Sequence, residues 1–519
     1  MSFSLGRFNA IAANDSHPSA QRRAHRLAVL VADILARDQT TTGDFPQHGF
    51  YATAFALALW HNLNAAKYHT AITRAFDALQ QQDDGAQYHR EFIAFALSQT
   101  SALTARQRRN ILKGKPWQNA RVGNWLILRI LCLEKGSFLA RLTARLLWRI
   151  IDRHFRDGPA FLDRRGCFSA QYHAFCSALL GFSQQPACQQ AAIAATELID
   201  HITRHSGHAN IVGRGAGQSF GMVSAIYALL KAGKDRTAQI LLDRIEQSLL
   251  LHQTMPLNLL ADQDGETAQT KPGWYSYNRY YDYLAFAGFF LLCAGKVPEN
   301  RAVPTPYKPQ NTTANCQIFQ LYQSPAYCAQ MTLAGKSPYD TTPMPVITSP
   351  DGTIILPPCG GEQDFISPYT TASLPLPGLP GTTIFAQPDT ATYQNDTYVL
   401  PFVLGPWRGQ REIRFTEREI SWTDQIFPQD PATESHAPAS ARLFRLFIPR
   451  GLYRHRMAEN HFYFPAVGLE ITGTAPLHLT RSNHFSALGR VQVLFCQLLL
   501  CPETGCRADL TLTWRQDQP

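Results

Sequence analysis

The sequence has little charge for its length. Asp, Glu, Lys and Arg make up 17% of the 519 residues, while apolar residues reach 45%. That balance excludes a disordered chain and supplies enough apolar material for sizeable cores. Long hydrophobic runs are also missing. The longest, Leu284 to Gly295, spans 12 residues, against roughly 20 for a membrane-spanning helix, which excludes membrane insertion by such a helix. The opening stretch, MSFSLGRFNAIAANDSHPSAQRR, has no apolar core between a basic start and a small-residue cleavage site. It does not resemble a secretory leader, so the expected location is cytoplasmic. The 11 cysteines form no CxxC pair and no Cys/His cluster at zinc spacing. They are expected to be free thiols in a reducing compartment, with no metal site. The stretch ADQDGET, with Asp262, Asp264 and Glu266, starts like a calcium loop but has Gly273 at position twelve, so a solvated loop is expected. Acidic residues are the minority, 39 against 48 basic, for a net charge of +9. This favours an anionic partner without naming one. The basic residues are dispersed and join no nucleic-acid motif, so nucleic acid is not the expected partner.

Proline is scarce up to residue 302, with 8, and abundant after it, with 25. Proline is poorly tolerated inside helices and common at turns and sheet edges, so the shift predicts a change of architecture. Before it, apolar residues recur at helical spacing near 21–37, 50–64, 87–98, 121–134, 137–151, 172–182, 188–203, 219–232, 236–251 and 280–294. Several of these segments, including Phe50–Trp60 and Tyr283–Leu292, are apolar nearly all round and must be covered on more than one side. Helices in pairs, some internal and some outer, suit an (α/α) toroid, incomplete or of six hairpins, over residues 1–302. Residues 303–350 are rich in Pro and Thr and read as a connecting segment. Short β-rich runs follow at 353–356, 398–404, 412–422, 441–448, 467–472 and 491–499, predicting an antiparallel β-sandwich over 351–519.

Three stretches of the helical half carry more polar and aromatic groups than packing requires. In FLDRRGCFSAQYHAF, a loop at Gly166 leads into a helix near Ser169, with Gln171, Tyr172 and His173 in its first turn. In NIVGRGAGQSFG, three glycines surround Arg214 before Gln218 and Ser219 at a helix start. A guanidinium and helix-terminal N–H groups would then face one space, and without a GK[ST] ending this is no nucleotide loop. In KPGWYSYNRYYDYL, Trp274, Tyr275, Tyr277 and Tyr281 surround Asn278 and Arg279. So many polar-tipped aromatics cannot all be satisfied in a core, and a groove whose aromatic faces hold sugar rings or bases is expected there. His48, in FPQHGFY before an apolar helix, is a weaker cleft candidate.

The order of the two halves and these local runs resemble the heparinase II/III-like and alginate-lyase group of polysaccharide lyases. That group joins an (α/α) toroid to an antiparallel β-sandwich. CFSAQYH resembles its run ending in Tyr-His, which places Tyr172 on the catalytic tyrosine. VGNWLILR is similar to the stretch carrying its Asn-His pair, so Asn124 would neutralise a substrate carboxylate, with Trp125 standing where the group has His. GRGAGQSFG is similar to a glycine-arginine loop of related toroids. For the sandwich histidine of the group, His455, His461 and His484 are all available. The resemblance implies β-elimination on an acidic, uronate-containing polysaccharide or oligosaccharide, without a cofactor. Asn124, Arg214 or Arg279 would offset the carboxylate charge. Tyr172 would move the proton, His173 or His48 would take the complementary role, and Trp125, Gln171, Gln218, Trp274, Tyr275, Tyr277, Asn278 and Tyr281 would hold sugars.

Two rival functions fit the same fold. A glycoside hydrolase needs two carboxyl groups about 5–9.5 Å apart, and Asp163, Asp282, Glu91 and Asp44 are the acids available. A non-catalytic glycan-binding protein of exopolysaccharide synthesis or turnover needs neither, and Trp125 in place of His favours it.

Overall fold

The inner helices follow from composition. Nine consecutive residues from Ala52 to Trp60 are buried, and almost every residue from Asp282 to Ala294 is, as expected of helices enclosed on all sides. The structure is a computed structural model and describes residues 19–46, 49–81, 89–101, 103–113, 117, 122–203, 207, 209–252, 279–299, 316–333, 344–358, 375–428, 440–486 and 489–515.

The described helices fall into six sequential hairpins, each an outer helix followed by an inner one. The pairs are α1 (Ala20–Asp38) with α2 (Ala52–Asn64), α3 (His69–Gln81) with α4 (Arg90–Ser98), and α5 (Ala105–Ile111) with α6 (Gly123–Glu134). They continue with α7 (Phe138–His154) and α8 (Ala170–Leu180), α9 (Pro186–Thr203) and α10 (Ser219–Lys231), and α11 (Asp235–His252) and α12 (Tyr280–Gly295). Each even-numbered helix packs on the next, and α12 returns to pack on α1 and α2. This is the toroid that the apolar segments predict. Helices α3 and α5 escape the periodicity reading, because both are outer helices with only a few buried positions.

Each inner helix follows an outer one in sequence, and contacts at the starts of the inner helices place these ends together. Their N-terminal turns touch one another around one rim. Phe50 stacks on His89, and His89 meets Trp125 edge-on. Tyr172 lies near Phe220, Phe220 meets Tyr283, and Arg279 lies over Phe50.

A small antiparallel sheet of β1 (Arg156–Asp157), β2 (Ala160–Arg164) and β3 (Cys167–Phe168) sits between α7 and α8. The loop expected at Gly166 is the turn of this hairpin. A second sheet, β4 (Phe319–Gln323), β5 (Cys328–Thr332), β6 (Val346–Thr348) and β7 (Ile354–Leu356), packs on the helical half through Phe168, Ile202, Val212, Phe319 and Val346. Three of its strands fall inside 303–350. The described part of the stretch expected to connect the two halves therefore carries sheet.

The remaining strands form a nine-stranded and a three-stranded antiparallel sheet that share one core. The run expected at 412–422 is two strands, Trp407–Phe415 and Glu419–Pro428, joined by a hairpin. Burial alternates strictly along the first, and its inward face includes Arg411. This charge is buried because Asp424 accepts from Nε and Nη2 at 2.6 Å each, while the carbonyls of Pro375 and Phe444 take the other donors. No disulfide joins the described cysteines, and no described helix is long and apolar enough to cross a membrane.

Candidate functional site

Local chain geometry brings four side chains together at the rim. Gly123 begins α6 hard against β2, where an added Cβ would lie 2.9 Å from the Leu162 carbonyl oxygen. That close approach sets Asn124 beside Asp163 of β2, and Asn124 Nδ2 donates to Asp163 Oδ1 at 3.3 Å. After the β2–β3 turn, Ser169 caps α8: its Oγ accepts from Tyr172 N at 3.5 Å and donates to the Arg214 carbonyl at 2.6 Å. Ala170 N bonds the Val212 carbonyl at 2.9 Å, so the glycine loop lies across the start of α8. Gly213 takes φ 78°, and a Cβ there would collide with the Phe168 carbonyl oxygen. The loop thereby aims the Arg214 guanidinium at Asp163, with which it forms an ion pair, and 4.6 Å above the Tyr172 ring.

Asn124, Asp163, Tyr172 and Arg214 are therefore one constellation. Asn124 and Asp163 are buried and Tyr172 is half-buried. Asp163 enters the sequence reading only as an acid available to a hydrolase, not as a partner of Asn124 and Arg214. Its signal lies in RRG after Asp163: a tight hairpin turn there folds the acid back toward the helix start seven residues on.

Several expected site residues lie elsewhere. His173 is fully buried. Its Nδ1 accepts from Phe161 N at 3.0 Å and its Nε2 lies 3.0 Å from the Ala195 carbonyl. Burial holds its pKa down to about 4 despite that carbonyl. A neutral ring whose nitrogens both face backbone groups braces β2, α8 and α9, and it lies buried rather than open to the rim where the expected catalytic role would put it. Gln171 and Gln218 are fully buried behind the glycine loop. Their amide atoms have no partner among the described residues. Tyr281 stacks on Phe45 at 4.9 Å and reaches Asp38 at 3.4 Å. Burial and that carboxylate push its hydroxyl up to about 12, so it packs the α1 side. His48, Trp274, Tyr275, Tyr277 and Asn278 lie outside the described residues.

Trp125 and Arg279 belong to a second cluster on the same rim, with Phe50, Tyr51, Phe92 and His89. His89 is absent from the sequence-derived candidates. It stacks on Phe50 at 4.4 Å, and burial lowers its pKa to about 4. Beneath it the Asp282 carboxylate of α12 accepts from the backbone N–H groups of Phe50, Tyr51 and Ala52 at 2.6 to 3.0 Å, closing the N-terminus of α2. Burial nevertheless raises its pKa to about 6, against the lowering effect of those three donors. Of the sandwich histidines, His455 is exposed and His461 lies 3.7 Å from Glu470. Both sit on strands remote in sequence from the rim.

No protein family matches this sequence, and no curated protein is detectably similar to it. Solved structures are. The chondroitin AC lyase of Streptomyces coelicolor A3 in complex with chondroitin sulphate superposes with a TM-score of 0.50 at 11% identity, over 96% of this chain and 80% of that one. A chondroitinase AC lyase solved with oligosaccharides superposes with a TM-score of 0.45 at 8% identity, over 96% and 83%. The first of these shows the fold: a helical domain followed by antiparallel sheets, as in that enzyme.

Proposed function

We propose that this chain acts on an acidic glycan bound across the rim and cleaves it by β-elimination, with Tyr172 moving the proton. The observation that carries the proposal is the convergence of Asn124, Asp163, Tyr172 and Arg214 at the edge of the toroid. Six helix N-termini point at this rim, and their dipoles favour an anionic ligand. The fold shared with a chondroitin AC lyase gives the reading its context.

The chemistry divides among these residues. Removal of a proton from the carbon beside a carboxylate requires that negative charge on that group be offset. Arg214 carries the charge for this, and Asn124 offers an amide. The guanidinium over the Tyr172 ring stabilises the phenolate that takes up the proton, and the phenol so formed passes that proton to the leaving oxygen. Asp163 positions both Asn124 and Arg214, so a substrate carboxylate shares or displaces its contacts.

The hydrolase reading is weaker on specific grounds. Glu91 is buried and paired with Arg129 at 2.7 Å, Asp282 caps α2, and Asp44 accepts from Thr42 at 2.8 Å. Each acid proposed to partner Asp163 is committed elsewhere.

The test is incubation with a panel of uronate polymers, following the ultraviolet absorbance of the C4–C5 double bond that elimination creates. Expected is a rise in absorbance that Tyr172→Phe abolishes while binding survives. New reducing ends without absorbance would establish hydrolysis instead. Binding without either product would establish a non-catalytic glycan binder.

A further inference from the structure

Helix α7 is an outer helix, yet its solvent face is apolar. Ala144, Trp148 and Ile151 are its buried side. On the opposite side Phe138, Leu142, Leu146 and Ile150 form an i, i+4 row, joined by Leu139. They are 70%, 44%, 50%, 43% and 71% exposed, respectively. Scattered exposed apolar side chains need no explanation, but five on one helix face form a contiguous patch. Beside that row runs a second one. Arg141, Arg145, Arg149 and Arg153 each lie three residues after a member of the apolar row, and all are exposed. The single acid of the helix, Asp152, is paired with Arg156.

An outward apolar row flanked by arginines on a helix too polar to cross a bilayer is the pattern of a helix lying in a membrane interface. The apolar side chains enter the acyl boundary, and the long arginine stems let their heads reach the phosphates. We propose that α7 docks this protein on an anionic lipid surface. Charge complementarity selects that occupant over a second copy of the chain. Antiparallel pairing of two such helices about a two-fold axis lays both arginine rows along the same edge, where they repel. An acidic polysaccharide would satisfy the arginines and leave the apolar row in water.

The experiment is co-sedimentation of the full chain with phosphatidylcholine vesicles, with and without phosphatidylglycerol, over a range of salt, alongside light scattering of the protein alone. Binding is expected only to the phosphatidylglycerol vesicles and should weaken as salt rises. Arg145→Gln with Arg149→Gln should weaken it roughly 30-fold, at about 1 kcal/mol per arginine. Leu142→Ser with Leu146→Ser should abolish it, with circular dichroism unchanged because both side chains face solvent. No binding to either vesicle overturns the proposal, as does binding indifferent to the leucine pair. A dimer that the leucine pair dissolves would assign the face to a second copy. Heparin capture lost in the arginine variant, without vesicle binding, would assign it to an acidic glycan.

Discussion

The Asp163 carboxylate and the Arg214 guanidinium form an ion pair that joins the β2 strand to the glycine loop, with Asn124 on the other carboxylate oxygen and Tyr172 beneath the guanidinium. This pair separates positioning from chemistry. Asp163→Asn keeps the side-chain shape and removes the charge that fixes Arg214. Since one partner of a largely buried pair is left uncompensated, stability should fall by about 3 kcal/mol in chemical denaturation. Glycan turnover should drop while Tyr172 remains in place. Arg214→Lys, which keeps charge but loses the planar fork, should restore stability only in part and turnover hardly at all. Equal turnover in wild type and Asp163→Asn would remove Asp163 from any positioning role.

His173 gives the opposite expectation. Phe161 N and the Ala195 carbonyl both depend on its ring. His173→Leu should therefore cost about 2–5 kcal/mol, from two buried groups left unpaired. The pH dependence of turnover should be unchanged in whatever enzyme remains folded. Loss of a limb of the pH–rate profile in this variant would return His173 to the chemistry.

Three groups contribute to the acid response of the fold, with opposing signs. His89 and His173 have folded pKa values lowered to about 4. Between that value and their ordinary 6.5 the unfolded chain binds more protons, so each loses stability as pH falls through this window. Asp282, raised to about 6, binds its proton more tightly in the folded state, so its contribution rises as pH falls from 6 toward 4. Two losses against one gain predict a net fall of roughly 2 kcal/mol between pH 7 and pH 5. Asp282→Asn, which cannot titrate, should make that fall steeper. Denaturation midpoints at the two pH values decide the point, and a shallower fall in the variant would reverse the assignment of Asp282.

How much of this was legible in the sequence depended on how apolar the buried residues are. Helices α2 and α12 are apolar on every side and stand out in the sequence, whereas α3, with Ala71, Ala75, Ala78 and Leu79 as its buried residues, does not. Tyr172 and Arg214 are legible because an aromatic in a helix's first turn and a glycine-bracketed arginine are locally unusual. Asp163 is less so, because its importance comes from a three-strand sheet of nine residues that only the RRG turn announces. His173 misleads for a similar reason. It stands next to Tyr172 in sequence, but adjacent positions on a helix point about 100° apart, so one faces the rim and the other the core.

The same hairpin logic makes Gly213 a sensitive position without any side chain in the site. Its φ of 78° and the Phe168 carbonyl beside it leave no room for a Cβ. Gly213→Ala should displace the loop that carries the Arg214 guanidinium, costing about 1–3 kcal/mol of stability. The loss of turnover should match that of Asp163→Asn, since both release the same guanidinium. Because the two changes act through one ion pair, combining them should cost clearly less than the sum of the single effects. Fully additive losses in the double variant would show that the loop and the ion pair act independently, and the constellation would then not be a single unit.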